Sequence, residues 1–106
     1  MYTQVGKRCY TLALKNGDRV WQIDAELSKG STVNVSLMTS EEFTEYVYRS
    51  GHEDRLGFPV FAAVDVSERT ISFYPIPDDK YQVRVLVQRG FVNNNHGIRN
   101  FVLAEP

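Results

Sequence analysis

The chain has 106 residues, of which 42% are hydrophobic and 24% charged, and its 12 basic and 13 acidic residues give a net charge of −1. This length is typical of one domain with its own core, and the composition excludes the pattern of disordered chains. Like charges form no run longer than a pair, which argues against a nucleic-acid surface. We therefore predict a single domain over residues 1–106 that binds no nucleic acid.

The compartment is predicted from the single cysteine and from the N-terminal residues. Cys9 cannot form an internal disulfide, and its position in an alternating segment indicates a small buried side chain. Residues 1–7 are polar, and the apolar runs of the chain are much shorter than a membrane span. We expect a cytoplasmic protein that has no signal peptide and does not interact with membranes.

Seven segments alternate between apolar and polar residues with the period of two that indicates a half-buried strand. They are residues 8–15, 19–27, 33–38, 60–66, 70–74, 81–88 and 98–104. Between the first two lies Asn16–Gly17, whose tolerance of positive φ predicts a type I′ hairpin that pairs these strands antiparallel. Trp21, on the apolar side of the second segment, is predicted to anchor the core.

One helix is predicted over residues 40–49. Thr39 and Glu42 have the spacing of a capping box at its start, and Gly51 is placed to end it in the left-handed conformation. The side chains expected to lie in a stripe across the sheet edge are those of Phe43, Tyr46 and Val47.

Short strands punctuated by turns, with one helix among them, indicate a mainly β protein. We predict a single antiparallel β-sandwich of about seven strands with one short helix. The residues expected to share its core are Trp21, Leu37, Phe73, Tyr81, Val83 and Val85.

Residues 33–51 resemble a strand, short helical segment and glycine found in small bacterial β-sandwich modules of the pre-peptidase C-terminal-like and Golgi-dynamics-like type. The matching residues are Val33, Val35, Leu37, Met38, Thr39, Glu42, Phe43, Tyr46 and Gly51. Asp79, Tyr81, Val83 and Val85 resemble the penultimate strand of these modules, although Lys80 stands where glycine is commoner. The resemblance implies an accessory, binding or interaction module and transfers no catalytic residue.

No catalytic or cofactor constellation is recognisable in the sequence. Cys9 has both histidines remote in sequence and no nucleophile elbow around it. His52, Glu53 and Asp54 offer three possible metal ligands, which His96 could join only if the two loops meet in space. Paired ligands at zinc spacing are absent, so we predict no metal and no cofactor. Asp78 and Asp79 could bind calcium, but turn chemistry alone also explains two aspartates at these positions. The sequence therefore leaves calcium binding open.

Two polar connections, residues 52–59 and 89–97, are long for so small a domain and contain both histidines. Long ordered loops tend to be functional, whereas a flexible hairpin end is the plainer interpretation of the second. The residues that we predict to contact a partner are His52, Asp54, Arg55, Arg89, Phe91, Asn94 and His96.

The hypothesis that we favour is a non-enzymatic binding or protein-interaction module. A protein partner or self-association is expected before a small molecule. One alternative is a structural component of a virion or another assembly, because residues 71–87 look like part of a phage neck or tail sandwich. A second is a small hydrolase with a carboxylate pair, which would require a cleft that brings two acids together.

Overall fold

A computed structural model of the chain describes residues 1–88 and 101–104, apart from the side chain of Phe101. The described part contains ten short strands and one helical segment. The strands are β1 (Cys9–Thr11), β2 (Arg19–Ser28), β3 (Ser31–Asn34), β4 (Ser36–Met38), β5 (Leu56–Gly57), β6 (Phe61–Asp65), β7 (Thr70–Tyr74), β8 (Ile76–Pro77), β9 (Val83–Gln88) and β10 (Phe101–Leu103). The helical segment consists of α1 (Ser40–Thr44) and the π-helical turn Glu45–Arg49 that continues it.

Eight of the strands form two four-stranded sheets. The first sheet has the order β1-β7-β6-β4, the second has the order β10-β9-β2-β3, and β5 and β8 form a separate pair. Most neighbouring strands are antiparallel, but β4–β6 and β5–β8 are parallel. The fold is therefore mainly β with several sheets. The prediction of about seven antiparallel strands is wrong in the number of strands and in the direction of two pairs.

The main buried cluster includes side chains from both four-stranded sheets. Ile71 and Phe73 of β7 belong to it, as do Val83, Val85 and Val87 of β9, and all five have no exposed surface. The prediction that Phe73, Val83 and Val85 share one core is confirmed. No helix among the described residues is long and apolar enough to cross a membrane.

The predicted hairpin between residues 8–15 and 19–27 is wrong. Asn16–Gly17 does lie in a turn, where Gly17 has φ 86° and the Asp18 amide donates to the Lys15 carbonyl at 3.0 Å. However, β1 pairs with β7, whereas β2 pairs with β3 and β9. The Leu14 amide donates to the Leu12 carbonyl at 2.9 Å, which is the hydrogen bond of a γ-turn. This turn ends the extended backbone of the first segment before Asn16. The turn thus carries the chain from one sheet to the other.

The segment predicted as one strand over residues 33–38 is divided between the two sheets. Val35 lies at the crossing and is buried, and its amide donates to the Ile23 carbonyl at 2.7 Å. The next amide, that of Ser36, donates to the Val60 carbonyl of the first sheet at 2.9 Å. Because β4 forms a sheet edge, Leu37 is 50% exposed and does not belong to the core as predicted.

Three further side chains differ from their predicted environments. Trp21 is 55% exposed because a bulge between Val20 and Gln22 turns it away from the core. Tyr81 is only half-buried and packs edge-on against Phe58, with ring centroids 4.8 Å apart. Cys9 is exposed, since the alternation of β1 buries Tyr10 instead.

The helical segment confirms the predicted start and its capping box. The Glu42 amide donates to the Thr39 hydroxyl at 3.1 Å, and the Thr39 amide donates to the Glu42 carboxylate at 3.2 Å. Gly51 follows the segment with φ 76°, the left-handed conformation expected of it. Phe43 and Val47 are buried in a second cluster against the first sheet. The π-helical form of the second half was not predicted.

Candidate binding site

The structure describes three of the seven predicted contact residues: His52, Asp54 and Arg55. The other four, Arg89, Phe91, Asn94 and His96, lie outside the described residues. The predicted loop over residues 52–59 contains β5, which pairs with β8, so it is better ordered than a simple loop. Asp54 is exposed, whereas His52 and Arg55 lie beside a group of aromatic rings.

Four rings from separate elements meet beside this segment, and we call them the aromatic corner: Tyr46, His52, Phe61 and Tyr74. The Tyr46 ring lies at the centre of this group, with its centroid 5.2 Å from His52, 5.5 Å from Phe61 and 5.2 Å from Tyr74. The contacts of Tyr46 with Phe61 and Tyr74 are edge-to-face, the favoured arrangement of aromatic pairs. Tyr46 is 38% exposed, so the corner has an open face.

His52 is held in the corner by the end of the helical segment. Its amide donates to the Val47 carbonyl at 2.9 Å, directly after the left-handed turn at Gly51. Its ring Nδ1 lies 3.2 Å from the Tyr46 carbonyl oxygen. Since a carbonyl oxygen can only accept a hydrogen bond, this contact requires the proton on Nδ1. The local structure therefore fixes the position of the ring.

Tyr74 is buried at the base of the corner, and its hydroxyl oxygen has no hydrogen-bond partner among the described residues. The Tyr74 side chain nevertheless raises the pKa of Arg55, by its hydrogen-bonding interaction first and by charge second. The Arg55 backbone lies beside this strand end, because its carbonyl accepts the amide of Ile76, two residues after Tyr74, although no hydrogen bond joins the guanidinium to the hydroxyl. A buried hydroxyl without a partner costs about 1–3 kcal/mol. The site tolerates an unfavourable group that a bound acceptor would satisfy.

Two arginines lie at the edges of the corner. The Arg55 backbone is fixed on both sides, because its amide donates to the His52 carbonyl at 3.2 Å and its carbonyl accepts the Ile76 amide at 2.8 Å. Arg8 donates to the Glu53 carbonyl at 2.5 Å and stacks 5.4 Å from the centre of the Tyr48 ring. Within the described part of the chain, neither guanidinium lies within 4.0 Å of a carboxylate.

The sequence did not predict most of this site. Arg8, Tyr48 and Tyr74 are far apart along the chain, and no spacing rule connects them. Tyr46 was predicted only as part of the packing stripe of the helix. A weak signal existed in the two tyrosines of the predicted helix, Tyr46 and Tyr48, whose rings contact Phe61 and Arg8 respectively.

Metal ligands are not grouped in the described residues. No three side chains of His, Cys, Asp or Glu lie together there in a way that could hold an ion. In the turn at residues 78 and 79, the Tyr81 hydroxyl donates to the Asp78 carboxylate at 2.5 Å, and the Lys80 amide donates to the Asp79 carboxylate at 2.7 Å. Turn and side-chain hydrogen bonds therefore engage both carboxylates.

A concave surface lies elsewhere, where the first sheet faces the start of β2. Its volume is about 390 Å³, within the range of small-ligand sites. The apolar side chains that line it are Val20, Leu37, Met38, Val64 and Val66. Thr39 and Glu42 on its rim already bond each other's backbone in the capping box. Since the Tyr74 hydroxyl is buried without a partner and the Arg55 side chain is exposed, the corner is the stronger candidate.

Comparisons of the chain with known protein families, with curated proteins and with solved structures find no match.

Proposed function

We propose that this protein is a non-enzymatic binding module that engages a protein partner through the aromatic corner. The observation that carries the proposal is the buried Tyr74 hydroxyl without a partner, next to the exposed Arg55 and the open face of Tyr46. Tyr and Arg are the residues most enriched at energetically dominant positions of protein interfaces. The corner and its edges contain three tyrosines and two arginines from distant parts of the chain.

The way in which the corner is supported also favours recognition. Phe61 and Tyr74 lie opposite each other on the paired strands β6 and β7, and backbone hydrogen bonds hold His52 and Arg55. Side chains positioned in advance lose less conformational entropy on binding. We further infer that the two four-stranded sheets form a single-domain β-sandwich around the shared core, as in the small modules that the sequence resembles.

A random peptide library displayed on phage, panned against the purified protein, tests the proposal. We expect enriched peptides that lose binding to the double variant Tyr48→Ala/Arg55→Ala and keep it for Leu37→Ala, a matched change in the concave surface at the start of β2. Circular dichroism shows that both variants are folded. The proposal is wrong if no peptide is enriched, or if the enriched peptides bind the double variant as well as the unchanged protein.

Assembly into a larger structure is a second candidate, which the open sheet edges favour. β3 and β4 each lie at the edge of a four-stranded sheet, and all four residues of β3 are exposed. Unpaired backbone groups on such edges can add a strand from another copy. Size-exclusion chromatography with light scattering over a wide concentration range tests this candidate. A strict monomer at the highest concentration would argue against it.

A further inference from the structure

We infer that the group recognised at the aromatic corner is a carboxylate, which takes hydrogen bonds from the Arg55 guanidinium and the Tyr74 hydroxyl. This inference rests on the proposed function, because it names the chemistry of the same site. The carboxylate can be the C-terminus of a peptide or the side chain of an acidic residue, and the experiment below distinguishes these sources.

Tyr74 has hydrogen-bonding capacity that the described residues do not use. Its hydroxyl can donate one proton, and no described residue accepts it. Its neighbouring rings are those of Phe61, Tyr46 and His52, and none of them forms a hydrogen bond with this hydroxyl. An ionised carboxylate is acceptor-only, and hydrogen bonds to it are roughly twice as strong as neutral ones.

Arg55 has the chemistry to pair with such a carboxylate. A guanidinium and a carboxylate form a planar, bidentate pair of hydrogen bonds. The Arg55 side chain is exposed, and no carboxylate of the described residues lies within 4.0 Å of it. Because the side chain is exposed, it can turn from the hydroxyl toward a ligand without disturbing the core. A carboxylate held by Arg55 then supplies the acceptor that Tyr74 lacks.

The surroundings restrict the ligand further. Arg8 adds a second positive charge at the edge of the corner, whereas Glu53 and Asp54 carry negative charges in the same segment. Because positive and negative charges lie close together here, electrostatic attraction alone would bind a carboxylate only weakly. The exposed part of Tyr46 offers an apolar contact beside Arg55, so the ligand that fits is a carboxylate next to an aromatic or aliphatic side chain.

Three small probes test the inference by chemical-shift changes in the ¹⁵N-labelled full chain. N-acetyl-phenylalanine has a terminal carboxylate, N-acetyl-phenylalaninamide is its neutral match, and N-acetyl-aspartyl-phenylalaninamide has its carboxylate on a side chain. We expect at least one carboxylate probe to shift the amides of His52, Arg55 and Ile76, with affinity at least several-fold higher than that of the neutral probe. The carboxylate probe that binds more tightly identifies the source.

Matched variants separate recognition from folding. Tyr74→Phe removes only the hydroxyl, so we expect several-fold weaker binding of the carboxylate probe with no loss in the denaturant midpoint. Arg55→Gln should abolish the preference for the charged probe, and Arg55→Lys should restore part of it. Arg49→Gln, in an exposed ion pair with Glu45, should change nothing.

Equal binding of the charged and neutral probes at the corner would overturn the carboxylate inference and leave the corner as a binding site. Unchanged binding by Tyr74→Phe, or no shift at the corner with any probe, would overturn it as well. The peptide library decides the proposed function separately, because peptides without a carboxylate requirement can still depend on Tyr48 and Arg55.

Discussion

Val20 and Ile23 both pack into the main core, although they lie three residues apart on β2. In a regular strand, residues three apart face opposite sides. The bulge accounts for the difference, because Val20 is opposite Val87 and Ile23 is opposite Val85, which leaves Trp21 as the extra residue.

Deletion of Trp21 is therefore expected to leave the protein folded. Val20, Gln22 and Ile23 would then alternate regularly opposite β9, with the same side chains facing the core. Deletion of Asp24 should abolish folding, because either Ile23 or Ala25 must move to the outer face and a polar neighbour must turn inward. Denaturant titration followed by circular dichroism compares the two. A Trp21 deletion as damaging as the Asp24 deletion would contradict the bulge as the reason for the exposure of Trp21.

Val83→Asp is expected to unfold the domain. Val83 has no exposed surface and lies in the main core, so the substitution buries a charge without a partner, at a cost of about 4 kcal/mol or more. Arg84→Gln, at the next and exposed position of β9, is the control and should change the free energy of unfolding by about 0.5 kcal/mol or less. A soluble Val83→Asp variant with an unchanged melting temperature would show that this face is not buried.

Thr39→Ala should lower the free energy of unfolding by about 1 kcal/mol, because it removes the acceptor of the Glu42 amide at the start of α1. Ser40→Ala, one residue further on, is the control, since no side-chain bond of Ser40 contributes to the cap. Urea titration of both variants measures the difference. Equal stabilities of the two would mean that the capping box contributes nothing measurable.

The titration of Tyr81 gives a pH-dependent prediction. The hydrogen bond to Asp78, followed by desolvation and by the charges of Asp78 and Asp79, raises the pKa of Tyr81 to about 12. Because the folded pKa lies above the ordinary value of about 10, the stabilising contribution is complete below pH ~10 and is lost as the pH rises toward the folded value.

Asp78→Ala should lower the pKa of Tyr81 toward the ordinary value, as measured by NMR of the ring carbon that carries the hydroxyl. The loss of stability above pH ~10 should then become smaller, because the folded pKa lies closer to the unfolded value. Asp79→Ala serves as the comparison and should shift this pKa less, because the Asp79 charge is the smallest contribution. A larger effect of Asp79→Ala would contradict the hydrogen bond to Asp78 as the main cause.

The sequence alone identified the features that depend on neighbouring residues. The capping box at Thr39 and Glu42, the left-handed Gly51 and the alternating apolar face of β9 were all predicted correctly, because each depends on contacts within a few residues. Of the candidate site, it identified His52 and Arg55, as polar residues in a connection between regular elements.

Only the tertiary structure decided which strands pair and which side chains meet. The turn at Asn16–Gly17 is local, but the partner of β1 is set by contacts with β7, some sixty residues away along the chain. Val35 likewise gives no local sign that the chain changes sheets there. The aromatic corner exists because β6, β7 and the helical segment bring Phe61, Tyr74 and Tyr46 together, and a periodicity of two or of 3.6 residues carries no information about contacts at such separations.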